Sequence, residues 1–214
     1  MSVMGKRNYY KELEELIAAQ RGNRPSLLLH SCCGPCSSSV LEFLTKYFEV
    51  TLLWYNPNLF PESEYFKRLD AQRELLGKMP LSSVVDILIE PWRHEEFLSV
   101  SNGLEEEPEG GKRCEQCFLL RLRECARIAK EKEFDYFCST LTVSRYKNTE
   151  TINTVGEMIA KEIGVSWLPS DFKKKGGEQR STELAVLYRL YRQVYCGCEY
   201  SLQNRKDYEE TGII

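Results

Sequence analysis

The 214-residue sequence holds no apolar run near the roughly 18 residues of a membrane span, and Met1 to Tyr10 has no apolar signal-peptide core. These absences argue against a helical membrane protein or a membrane partner and place the chain in the cytoplasm. A strong charge of one sign is also missing. The formal net charge of −3 gives no global pull toward nucleic acid, so an RNA partner has to be held by local basic patches. There is no internal repeat, linker or low-complexity tract, so residues 1–214 read as a single α/β domain, long enough to bury a sizeable core. Histidine is scarce. His30, at a strand end, reads as a hydrogen-bonded structural residue and only second as a metal ligand; His94 carries no signal.

What the chain does have is nine cysteines. In a reducing compartment they are better explained by metal binding or catalysis than by a disulfide framework. The organising stretch is Ser26-Leu27-Leu28-Leu29-His30-Ser31-Cys32-Cys33-Gly34-Pro35-Cys36, a buried-strand pattern that stops at three thiols. Val40, Leu41, Leu44 and Tyr47 follow at helical spacing, which puts the thiols at a strand-to-helix turn. In an open α/β sheet that turn lies at the carboxyl edge, where backbone N–H groups and the positive end of the helix dipole favour thiolate.

The remaining pattern alternates. Helix Asn8–Arg21 precedes the first strand; strand Val50–Tyr55 leads into Asn56–Pro61; helix Glu62–Met79 and strand Val84–Glu90 follow. Trp92–Val100 reads as a short helix and Asn102–Gly111 as a mobile acidic surface loop. Lys112–Lys132 reads as a helix with Cys114 and Cys117 one turn apart near its start. Strand Phe134–Thr140, helix Thr149–Gly164 and strand Val165–Leu168 come next. A last helix from about Thr182 puts Leu184, Tyr188, Tyr191 and Tyr195 in one stripe and runs into Cys196-Gly197-Cys198. This order argues for a Rossmann-like, mostly parallel sheet of five strands with helices on both faces. Cys125 and Cys138 fall inside regular elements and read as packed core.

Several chemistries compete for the thiols. Cys33-Gly34-Pro35-Cys36 is a C-x-x-C in the setting of a thioredoxin-like thiol-disulfide oxidoreductase, but Cys32 and two further cysteine pairs exceed what such an exchanger needs. A zinc-stabilised RNA-binding module would take four sulfurs, yet structural zinc joins tight knuckles in a small module. An iron–sulfur cluster held by four thiolates suits sulfurs drawn from distant parts of a large sheet. Adjacent Cys32 and Cys33 do not easily point the same way, which leaves one for a second metal with Cys36 as its extra ligand. Cys196 and Cys198, one Gly apart, suit a strained, easily reversed disulfide that relays electrons. A tRNA thiolase of the ATP-pyrophosphatase type would need a Ser-Gly-Gly phosphate loop where this first strand ends in Cys-Cys.

The motifs His30-Ser31-Cys32-Cys33-Gly34-Pro35-Cys36, Tyr55-Asn56-Pro57-Asn58, Arg113-Cys114-Glu115-Gln116-Cys117 with Arg121, Ser139-Thr140-Leu141 with Ser144 and Lys147, Asp171-Phe172-Lys173-Lys174, Arg180–Leu184 and Tyr191–Cys198 together resemble the QueH family of epoxyqueuosine reductases over nearly the whole chain. The resemblance implies a HUP-like fold and a [4Fe-4S] cluster on Cys32, Cys33, Cys114 and Cys117. It further implies a redox-active disulfide between Cys196 and Cys198, and room for a mononuclear iron or other metal ion beside the cluster. The activity it implies is reduction of the epoxide of epoxyqueuosine in the tRNA anticodon loop to an alkene, the last step of queuosine synthesis, fed by an electron donor the sequence does not identify. A Lewis-acidic iron would stabilise the developing alkoxide, and Asp171 or a nearby Tyr would supply protons. Lys173, Lys174, Lys175 and Arg180 form the preferred phosphate patch, with Arg145 and Lys147 second.

Overall fold

Leu27, Leu28 and Leu29 are fully buried, and a strand so apolar on both faces belongs at the centre of a covered parallel sheet. That is where the computed structural model, which describes residues 7–81 and 83–211 (the last six as backbone only), puts it. The elements are α1 (Tyr9–Ala19), β1 (Ser26–His30), α2 (Gly34–Leu44), β2 (Glu49–Trp54), α3 (Glu62–Lys78), β3 (Asp86–Ile89), α4 (His94–Ser101), α5 (Lys112–Glu131), β4 (Tyr136–Ser139), α6 (Thr149–Ile163), β5 (Ser166–Trp167), α7 (Gly177–Leu187) and α8 (Glu199–Thr211). The strands form one sheet in the order β3-β2-β1-β4-β5 with every pair parallel. This is the Rossmann-like arrangement expected from the sequence. The helices α2, α3 and α7 pack together on one face, and α4, α5 and α6 on the other. Chain order reverses direction between β1 and β4, and the crevice outside their carboxyl ends is where such sheets bind ligands.

Because helices run antiparallel to the strands they cross over, α2 and α5 both begin at that same edge. The approach there is tight. A Cβ on Gly34 would lie 2.7 Å from the carbonyl oxygen of Ala71 on α3, so only glycine lets α2 start against α3 at this distance. Cys125 and Cys138 are fully buried, their thiols donating to the Leu28 carbonyl at 3.7 Å and the Leu168 carbonyl at 3.3 Å. They are core residues, as their positions inside regular elements suggest.

Three readings of the sequence need correction. The strands are shorter than their apolar runs: β3 covers Asp86–Ile89 and β5 only Ser166–Trp167. The acidic stretch before α5 is a series of turns tied down by Arg113, whose Nη1 donates to the carbonyls of Leu104 and Glu105 at 3.0 and 2.7 Å. The last helix does not reach Tyr195. It stops at Leu187, and the chain turns at Arg189 (φ 53°), with Arg189 N–H bonded to the Val186 carbonyl and Leu190 N–H to the Ala185 carbonyl. This is a Schellman stop with arginine where glycine is usual, and buried Leu190 supplies its apolar contact. A separate α8 begins only after Cys198. No helix of the described residues is long and apolar enough to cross a membrane; the first six residues of the Met1–Tyr10 stretch lie outside them.

Gly34→Ala forces α2 and α3 apart at the carboxyl edge. The expected result is a loss of about 1–3 kcal/mol in the urea-unfolding free energy, the usual size of an overpacking defect.

Candidate active site

The backbone of β1 ends at His30, and Cys33, extended at φ −171°, caps α2 by accepting the Cys36 N–H on its sulfur at 3.3 Å. This cap folds the chain so that the sulfurs of Cys32, Cys33 and Cys36 all lie within 4.8 Å of one another. Adjacent Cys32 and Cys33 therefore do aim at one place, contrary to the expectation that they diverge. Hydrogen bonds from the Cys33 and Cys36 thiols, together with the Arg121 guanidinium, push the Cys32 thiol well below its ordinary value. Burial raises Cys33, and donation to Cys32 raises Cys36. Around the triad, Ser31 and Ser37 hydroxyls meet Gln72 Oε1 at 2.8 and 2.7 Å, and Asn56 Nδ2 donates to the Ser31 carbonyl at 2.8 Å.

Cys114 and Cys117 stand in the first turns of α5, at the same edge. Cys117 is buried, which pushes its thiol up to about 11. These two sulfurs are not part of the 4.8 Å triad; what joins the groups is Arg121, one turn further along α5. Its guanidinium is within electrostatic range of Cys32, Cys114, Cys117 and Cys196. Arg121 is 2% exposed, bonds the Cys117 carbonyl through Nε at 3.2 Å, and leaves Nη2 without a partner. Among the described residues no carboxylate pairs with it. A buried cation in that state calls for an anionic group beside it, and thiolates are the anions on offer.

The segment from Tyr188 to Cys198, irregular rather than helical, closes over these thiols. Its hold comes from α3, where buried Arg68 bonds Glu64 at 2.7 Å and donates to the carbonyls of Cys196 and Tyr195 at 3.0 and 3.3 Å. Tyr191 OH donates to the same Glu64 carboxylate at 3.0 Å. Gln193 Nε2 reaches the Cys33 sulfur at 3.0 Å. Between the two cysteines Gly197 adopts φ 133°, and a Cβ there would meet Leu59 at 2.5 Å. Cys198 packs with Phe97 and Cys117, and burial pushes it up to about 12. Cys196 accepts instead from Lys147 Nζ at 3.0 Å. Lys147 thus turns inward, not out as a phosphate contact.

His30 is fully buried, its Nε2 on the Tyr55 carbonyl at 3.1 Å and its Nδ1 on Ser139 Oγ at 3.0 Å; burial lowers it to about 4. Nε2 therefore donates and the ring is neutral and structural. Asp171 makes no contact with a sulfur among the described residues. It pairs with Lys173 at 2.8 Å and lines a cavity of about 1070 Å³ with Tyr10, Tyr146, Lys147 and Lys174. The basic patch is largely compensated: Lys175 pairs with Glu14, and Arg180 with Glu42 at 2.6 Å and Glu183 at 3.3 Å. Lys174 has no ion pair among the described residues. Arg68, Glu64 and Gln193 escape a reading by sequence. An i,i+4 Glu–Arg pair looks like a solvated helix face until the fold buries it.

The site is thus a thiol-lined crevice at the carboxyl edge of a parallel α/β sheet, of the class that binds its ligands outside the strand ends. The family profile described as "Epoxyqueuosine reductase QueH" matches residues 27–204. Curated relatives of that name include one from Streptococcus pyogenes serotype M1, 40% identical over 91% of this chain and 78% of its own. Another, from Staphylococcus epidermidis, is 41% identical over 91% and 84%, and one from Dehalococcoides mccartyi 34% over 88% and 96%. The solved U34-tRNA thiolase NcsA from Methanococcus maripaludis with its [4Fe-4S] cluster overlaps 95% of this chain and 75% of its own at TM-score 0.47 and 14% identity, too loosely to bear on function. The chain belongs to the QueH family: it is an epoxyqueuosine reductase, an oxidoreductase, and nothing in these comparisons favours a thioredoxin-like exchanger or a zinc-stabilised binding module.

Arg68→Met strands the buried Glu64 carboxylate and frees the Cys196 carbonyl. It is expected to cost about 3–5 kcal/mol in urea unfolding, with Glu64→Gln/Arg68→Met recovering much of the loss.

Proposed function

We propose that this reductase acts on epoxyqueuosine in tRNA at the thiol-lined carboxyl edge. Cys32, Cys33, Cys114 and Cys117 would hold a [4Fe-4S] cluster there, and Cys36 would serve a mononuclear iron or other metal ion beside it. The observation that carries this reading is Arg121, a buried cation with an unpaired Nη2 whose guanidinium lies within electrostatic range of Cys32, Cys114 and Cys117. A thiolate-bound cluster is the kind of anionic group that satisfies such a donor, and when bound it supplies single electrons at low potential.

The chain's own residues do the rest. Cys196 and Cys198 form the dithiol that yields two electrons, with Gly197 providing the bend that lets both sulfurs face inward. Asp171, or a tyrosine of the same cavity, delivers a proton to the departing oxygen, so that the epoxide, two electrons from the dithiol and two protons become alkene and water. Lys173, Lys174, Lys175 and Arg180 contact tRNA phosphates, exchanging internal carboxylates for phosphate as the RNA docks. An external donor restores the dithiol. Residues 1–214 act as one domain, and the compartment is the cytoplasm.

Anaerobically prepared protein is expected to show the broad visible absorption of a cluster and bound iron. Cys114→Ser and Cys117→Ser should lose both, while Cys125→Ala keeps them; unchanged spectra in the first two end the ligand assignment. Arg121→Met should cost roughly 10–100-fold in activity or iron affinity, as loss of an outer-shell partner does. For the RNA patch, Lys174→Ala should flatten the slope of log affinity against log salt by about 0.7, the value for one single-strand phosphate contact.

A further inference from the structure

Cys196 and Cys198 are chemically unequal. Cys198 sits among apolar neighbours, Phe97 and Cys117, whereas Cys196 takes a hydrogen bond from a lysine ammonium at 3.0 Å. Lys147 has no carboxylate in ion-pair range among the described residues. Its hydrogen-bonded partner is the Cys196 sulfur, and the Phe118 ring lies 5.9 Å from its Nζ. Burial acts to lower Lys147 and Cys196 to raise it, with Cys196 prevailing. A cation turned inward onto one sulfur is a costly arrangement unless it is used. Lys147 also belongs to the wall of the cavity that Asp171 lines, so it connects that space with the sulfur.

We propose that Lys147 is the charge partner of Cys196, stabilising the thiolate from which the disulfide forms as the dithiol is oxidised. The inference rests on the reading of Cys196 and Cys198 as a redox pair. The step balances: the S–S bond forms, two thiols give up two electrons and two protons, and the epoxide takes both to become alkene and water. Lys147 keeps its own proton throughout and balances the charge on the Cys196 sulfur. A two-electron reductant of the dithiol class then cleaves the disulfide, with two protons from solvent.

Other charges face Cys196. Arg121 and Cys117 approach it from α5, Cys198 from its own segment, Arg68 through the backbone carbonyl, and Glu109 through Ser201, which accepts the Cys196 N–H at 3.0 Å. Of the cations, Lys147 is the one hydrogen-bonded to the sulfur itself.

The test is the pH dependence of Cys196 alkylation by iodoacetamide, read by peptide mass spectrometry on anaerobic holoprotein freshly reduced with dithiothreitol. Lys147→Met and Lys147→Gln should move the half-plateau pH up by at least about one unit, a tenfold slower reaction below it. Lys147→Arg should keep the wild-type profile and turnover within about threefold, because the charge stays. Overlapping profiles for wild type, Met and Gln variants overturn the proposal, and so does an Arg profile that moves with those of Met and Gln. If Cys196→Ser turns over normally, the redox-pair reading fails, while the alkylation profiles still report on Lys147.

Discussion

Everything at the site follows from one constraint, the parallel pairing of β1 between β2 and β4. Parallel strands need helical crossovers, and crossovers return each helix start to the same edge. Cys32, Cys33 and Cys36 follow β1; Cys114 and Cys117 open the helix that leads back to β4. Residues some eighty positions apart thus reach one crevice without any special contact drawing them there. The glycine at the head of α2 and the left-handed stop after α7 only refine that placement.

Charge is the second organising element. The site buries two arginines in opposite ways. Arg68 is saturated by Glu64 and two backbone carbonyls, so it works as a clamp that fixes the segment bearing Cys196. Arg121 is left short of partners and faces sulfur, so it works as a fixed positive potential for whatever anion the thiols hold. Lys147 adds a third cation, hydrogen-bonded to the Cys196 sulfur. The epoxide opening that the family carries out develops charge on oxygen and consumes protons. A pocket with fixed cations beside its thiols matches the first of those needs.

Much of this was legible in the chain. The all-leucine strand, the thiols at its end and the C-x-x-C before a long amphipathic helix gave the fold class, the sheet edge and the cysteine groups, because periodicity and turn chemistry act over a few residues. The tyrosine stripe at Leu184, Tyr188, Tyr191 and Tyr195 misled, since helical spacing there is overridden by the hydrogen bonds of Tyr191 to Glu64 and of Arg68 to the Tyr195 carbonyl. Lys147 looked like a surface cation for the same reason: local spacing says nothing of which way a loop side chain turns.

By itself, then, the sequence determined the parallel α/β fold, the family and the set of thiols, all of which depend on local pattern and residue identity. The tertiary structure alone decided that Cys32 and Cys33 share one focus, that Glu64 and Arg68 are a buried clamp, and that Lys147 serves a sulfur rather than a phosphate. Those outcomes depend on burial and, for Lys147 and Arg68, on partners 49 and 128 residues away, and burial decides whether a charge is screened by water or must find a counter-charge inside the protein.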